Sequence, residues 1–265
     1  VESFSKENPN RIFNRYLKQI EKARNGYRII LAIDEFELLE TAIENNRVDD
    51  QILDYLRGII QNIPWIILAF AGLHTLEEMV ADYWNPLFSS VVPVKVSFLT
   101  LEATTQLLAN PSDDFPLNFT KKTVQRTYDW VQGQPFLTQL VGHTLVRRFQ
   151  STEELERSKL SFGADAIDAI VDSAIFYEQG EYYFNGVWKQ ARASSQEGEI
   201  AILQLLAQAD KGMKAKILFS KASLGENEGQ DSLTALIRHD VITDTEPHDF
   251  TVPLMRYWIR KSKTH

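Results

Sequence analysis

The stretch Arg28–Glu40, RIILAIDEFELLE, decides how this chain is read. After Arg28, residues 29–33 are apolar and rich in isoleucine, too short for a helix, and stop abruptly on two acids, Asp34 and Glu35, so 28–33 is predicted as a buried parallel strand. Upstream, residues 10–24 place Ile12, Phe13, Leu17 and Ile20 on one helical face, with Gly26 as the stop. Downstream, Ile52, Leu53, Leu56, Ile59 and Ile60 recur at helical spacing over 49–62, Pro64 ends that run, and 65–71 is a second apolar strand. Strand, helix, strand with apolar strands argues for an α/β sheet with right-handed crossovers.

Working outward, VVPVKVSF over 91–98 is expected as a third strand, after which the pattern turns helical. Helices are expected near 101–109, 120–132 and 135–150, the last two separated by Gly133-Gln134-Pro135, then near 164–178 and 181–193. From Gln196 the order is helix, short helix at 214–219, helix at 231–239, a strand pair with Thr245-Glu246-Pro247-His248 as its turn, and a last amphipathic helix; this order fits a winged helix-turn-helix. The fold class is therefore α/β plus all-α: a partial parallel sheet over 1–100, a small helical domain over 101–155, and a helical connector with a winged helix over 156–265. Because residues 10–24 already read as a helix, a chain trimmed upstream is expected.

Composition narrows the function classes. With 265 residues, 44% hydrophobic and 24% charged, the chain can bury one large core or several small ones. Zero cysteines exclude disulfides and thiolate metal sites, and the five histidines show no ligand spacing, so no metal held by protein alone is expected. A net charge of -8 repels phosphate backbones, so DNA binding would need a local basic patch. No apolar run is long enough for a membrane helix and no secretory signal precedes residue 13, so cytoplasmic residence is the default expectation.

An apolar strand ending in Asp-Glu has the form of a Walker B motif. At the carboxyl end of such a strand Asp34 would reach water coordinating Mg²⁺ and Glu35 would polarise an attacking water, the two pointing apart as consecutive strand residues do. The same two acids could instead serve as helix-starting residues for EFELLE. The order of parts over about 10–260 resembles the AAA+/STAND superfamily of P-loop ATPases, particularly the archaeal-type and origin-recognition-like members. In that family a second core strand, here WIILAFAG, carries a polar sensor. The helical lid carries a Gly-x-Pro element, here Gly133-Gln134-Pro135-Phe136-Leu137-Thr138-Gln139-Leu140. The resemblance implies that Pro135 contacts adenine, that ATP and Mg²⁺ are the cofactors of the intact protein, and that nucleotide exchange switches a protein partner or effector. A nucleotide-dependent homo-oligomer is also implied. Pro135 read on its own could be a first-turn helix proline.

Departures from the family pattern are as informative. No Gly-x-x-x-x-Gly-Lys-Ser/Thr occurs, so the chain by itself is expected neither to hold nucleotide nor to hydrolyse ATP. The second strand runs into Phe70-Ala71-Gly72-Leu73-His74, leaving His74 or Thr75 as sensor candidates, and no arginine opens the helix after Pro135. Arg57 reads as a solvated helix arginine, and Trp130, Trp188 and Trp258 as core; Tyr182-Tyr183-Phe184 read as packing between lid and winged helix. Lys211, Lys214, Lys216, Lys221, Arg256, Arg260, Lys261 and Lys263 read as solvated surface. Two alternatives stand beside the ATPase switch. One is a winged-helix DNA-binding module of a DNA-loading ATPase, weakened by having only Arg238 and His239 as bases on the recognition helix; the other is a degenerate, non-catalytic protein-interaction scaffold.

Overall fold

A computed structural model of the chain describes residues 9–72, 87, 90–109, 119–152, 162–193 and 197–262. It divides into two compact units, Val1–Lys95 and Val96–His265.

In the first unit the order is α1 (Pro9–Ala23), β1 (Ile29–Ile33), α2 (Glu37–Glu44), α3 (Gln51–Asn62) and β2 (Ile66–Phe70). The strands pair in parallel, from Ile29 opposite Ile66 to Ile33 opposite Phe70. One face of the pair is covered: Ile29, Ile33, Ile66, Leu68 and Phe70 join Leu17 of α1 and Leu53, Leu56 and Ile59 of α3 in one apolar cluster. The pleat turns alternate residues to the other face. There Ile30 and Ile67 are 67% and 44% exposed, and Ala32 and Ala69 are exposed beside them. The expectation of buried strands is therefore corrected: apolar residues occupy both faces, but elements among the described residues cover only one. Residues 91–98 form no strand, and Val92, Val94 and Val96 are all exposed.

The second unit is helical: α4 (Leu101–Ala109), α5 (Lys121–Val131), α6 (Pro135–Gln150), α7 (Ala164–Val171), α8 (Ala174–Gln179), α9 (Glu181–Ala193), α10 (Glu197–Gln208), α11 (Ala215–Ala222), α12 (Glu226–Arg238) and α13 (Pro253–Ser262). The single helix expected over 164–178 is two, because Ser173 restarts the chain as a new N-cap, its hydroxyl accepting from the Phe176 amide at 3.3 Å. One core runs through the unit, from Leu137, Val141 and Leu145 through Ile167, Phe184 and Ile202 to Leu236 and Trp258. At its centre Phe184 and Trp258 stack with ring centroids 5.7 Å apart. Trp130 and Trp188 pack against this core, whereas Tyr182 is 88% exposed and takes no part in the packing expected of it.

After α10 the chain forms three short bridged segments. Met213 pairs antiparallel with His248, and Ile242 with Phe250; the Thr243 amide donates to Asp249 O at 2.8 Å and the Thr251 amide to Val241 O at 3.0 Å. The last helix is tied back by arginines. Arg256 donates to Leu206 O at 3.3 Å and pairs with Asp249. Arg260 donates to Ala207 O, to Ala209 O at 2.9 Å and to Asp210 at 3.2 Å. These are carbonyls at the end of α10 that no further helical turn satisfies, so Arg256 and Arg260 are structural caps and not the solvated charges expected.

Candidate functional site

β1 ends at Ile33, so Asp34 and Glu35 lie in the turn that leads into α2. Both are exposed at the carboxyl end of the strand. The Asp34 carboxylate accepts from the Glu35 amide at 2.9 Å, and Glu35 has a left-handed backbone, φ 50°. Both acids therefore sit in the turn beyond the strand, so the strand alternation expected to set their directions does not apply. Neither carboxylate caps α2: Phe36 holds the N-cap position and no side chain bonds there. Phe36 is buried, its ring 4.6 Å from that of Phe70, and its amide donates to Ala71 O at 2.9 Å. Sequence reasoning passed over Phe36. The available signal was an aromatic directly after two acids.

His74 and Thr75, the sensor candidates, lie outside the described residues. Gly133 and Pro135 belong to the second unit, where local geometry accounts for each. Gln132 and Gly133 are both left-handed, φ 48° and 72°, which ends α5 and turns the chain. Gly133 O accepts from the Leu99 amide at 2.7 Å, so close that a Cβ on residue 133 would lie 1.9 Å from Leu99 O. Pro135 opens α6, where Gln134 caps the Leu137 amide at 2.7 Å. The glycine and proline thus have structural work here whatever else they contact. Arg57 is half-buried with its Nε enclosed and without a hydrogen-bond partner, unlike the solvated arginine expected.

Two exposed, acceptor-only carboxylates at a strand's carboxyl end fit a hydrated divalent cation held jointly with a polyphosphate. Among the described residues no three His, Asp or Glu side chains gather into a metal cage, so a cation at Asp34 would take its remaining oxygens from water and phosphate. The sequence has no glycine-rich nest and lysine to fit the phosphates themselves.

No protein-family model and no curated protein matches the sequence. Among solved structures, the chain is similar to a Walker-type ATPase of Pyrococcus abyssi, with a TM-score of 0.64 over 95% of this chain and 67% of that one. The fold is ATPase-like. Sequence identity is 14%, so the likeness extends to the fold alone. A mostly helical chain with a small two-stranded parallel sheet agrees with a partial α/β fold of that kind. Among the described residues no helix is long and apolar enough to cross a membrane.

Proposed function

We propose that this chain carries the acidic half of a P-loop ATPase site of the AAA+/STAND kind and acts, in the intact protein, as a nucleotide-dependent switch. The observation that carries the reading is the exposed Asp34–Glu35 pair at the carboxyl end of β1, within a fold similar to a Walker-type ATPase. In this reading Asp34 holds Mg²⁺ through water and Glu35 orients the water that attacks the γ-phosphate. The phosphate-holding loop comes from outside these 265 residues. The uncovered face of Ile30, Ala32, Ile67 and Ala69 supports this, because a parallel sheet is ordinarily covered on both faces.

The proposed parts are a nucleotide-binding core to about residue 100, a lid over 101–155, and a connector with a winged helix over 156–265. Support for the winged helix is the order α10, Met213, α11, α12, Ile242, Phe250, with both antiparallel bridges. Its output is proposed to be a protein partner or effector. On α12 the exposed residues include Glu226, Glu228 and Asp231 against Arg238, and Arg256 and Arg260 are spent on carbonyls and aspartates. Both features weigh against reading of DNA by this helix.

The experiment is ATP binding and turnover by a form of the protein extended upstream to include a P-loop, compared with Glu35→Gln in the same form. ATP should still bind while turnover falls about 10²-fold or more. If the extended form ignores ATP, the switch reading fails and the scaffold alternative takes its place.

A further inference from the structure

The ends of β1 and β2 are joined by a one-residue bulge. The Ala71 amide donates to Ile33 O at 2.9 Å. A regular parallel ladder would next place the Glu35 amide on Ala71 O. Instead the Phe36 amide takes Ala71 O at 2.9 Å, and the Glu35 amide turns to its neighbour's carboxylate, Asp34 Oδ1, at 2.9 Å. The extra residue is Glu35, and it is the one with φ 50°, a conformation that glycine adopts freely and glutamate does not. Bulges beside functional sites re-aim a side chain in this way.

Two contacts hold the bulge in place. Phe36 is 2% exposed and packs on Phe70, the last residue of β2. Beside that ring contact the Phe36 amide holds Ala71 O; a Cβ at Gly72 would meet Glu37 Oε2, the movable end of a side chain, at 2.3 Å and the Phe36 amide nitrogen at an ordinary 3.4 Å. We propose that Phe36 is a positioning residue for Glu35, its ring on Phe70 and its amide on Ala71 O clamping the two strand ends so that the carboxylate of Glu35 is aimed by β2 and not by the strand that carries it. This rests on the Walker B reading of Asp34–Glu35.

The first arm of the test uses the 265-residue chain. Glu35→Gly should melt about 2–4 °C or more above Glu35→Ala, because only the glycine relieves the left-handed backbone. Introduced together with Phe36→Leu, the same pair should lose that gap, since an unclamped residue 35 relaxes to an extended conformation. Leucine keeps apolar mass in the core, so the chain remains folded. A gap that is absent, or that survives Phe36→Leu, overturns the proposal.

The second arm uses the P-loop-bearing form. Phe36→Leu should lower kcat about tenfold or more with ATP affinity within about twofold of wild type, a split that a purely structural loss would not produce. If Glu35→Gln lowers turnover and Phe36→Leu leaves it unchanged, the positioning role is wrong and the ATPase reading survives. If Glu35→Gln has no effect, the ATPase reading falls and the positioning role with it.

Discussion

Alanine at position 133 sets a side chain against two backbone demands at once. Residue 133 has φ 72° and follows a second left-handed residue, Gln132; forcing a non-glycine into that conformation costs roughly 1–2 kcal/mol. Its Cβ would also lie 1.9 Å from Leu99 O and 2.8 Å from Leu99 C. These are backbone atoms that cannot swing aside, so the 2.7 Å bond from the Leu99 amide to Gly133 O is lost, which removes roughly 0.5–1.5 kcal/mol more. Gly133→Ala should therefore destabilise the chain by about 2–3 kcal/mol and lower its melting temperature by about 4–12 °C. Urea unfolding followed by tryptophan fluorescence reads this directly, because Trp130 lies in the last turn of α5. Gly186→Ala is the control: it sits inside α9 with nothing within 4 Å of a new Cβ and should stabilise by about 0.5–1 kcal/mol. If Gly133→Ala costs less than about 1 kcal/mol without nucleotide, the glycine is not held there by packing, and this account of the turn is wrong.

Two further outcomes test the second unit. Asp168 accepts from Arg126 Nε at 2.7 Å and Trp130 Nε1 at 2.8 Å through one oxygen, and the Arg126 hydrogen bond, opposed by desolvation and aided by Trp130, holds its carboxyl below the usual range. A depressed folded pKa gives stability that is present above the unfolded value near 3.9 and lost as pH falls through the lower folded value. Asp168→Asn should cost about 1 kcal/mol or less at neutral pH, since both partners are about a third exposed, and the difference from wild type should vanish in acid melts; an unchanged difference at pH 2–3 would count against it. Arg260→Lys should cost about 1–2 kcal/mol, because an ammonium cannot serve Ala207 O, Ala209 O and Asp210 together. Urea melts of Arg260→Lys and Arg260→Ala compare the two; lysine restoring wild-type stability would show that charge alone suffices.

Local periodicity explains which elements could be read in advance. The spans of α4, α6 and α9 follow from apolar spacing bounded by a proline, a glycine or a charged stretch, signals that operate within a few residues and need no partner. The same holds for the two acids after β1 and for the glycine-proline turn before α6. Residues 91–98 misled because valine alternation favours a strand only when another strand is there to pair, and none of the described residues supplies one. Arg256 and Arg260 misled because a charge on a terminal helix looks solvated until the end of α10, about fifty residues earlier, is known to lie beneath it.

Residue order and chemistry were enough to establish the mixed α/β and helical class, the absence of a P-loop motif, and the position of Asp34–Glu35 at the end of an apolar strand. They could not show that Glu35 would be the extra residue of a bulge, that Phe36 would pack on Phe70 beside it, or that Gly133 would be required by the carbonyl of Leu99. Each of those depends on atoms brought together by packing between segments far apart in the chain, and the distance of approach between two backbones is set by the whole core around them rather than by the residues in either segment.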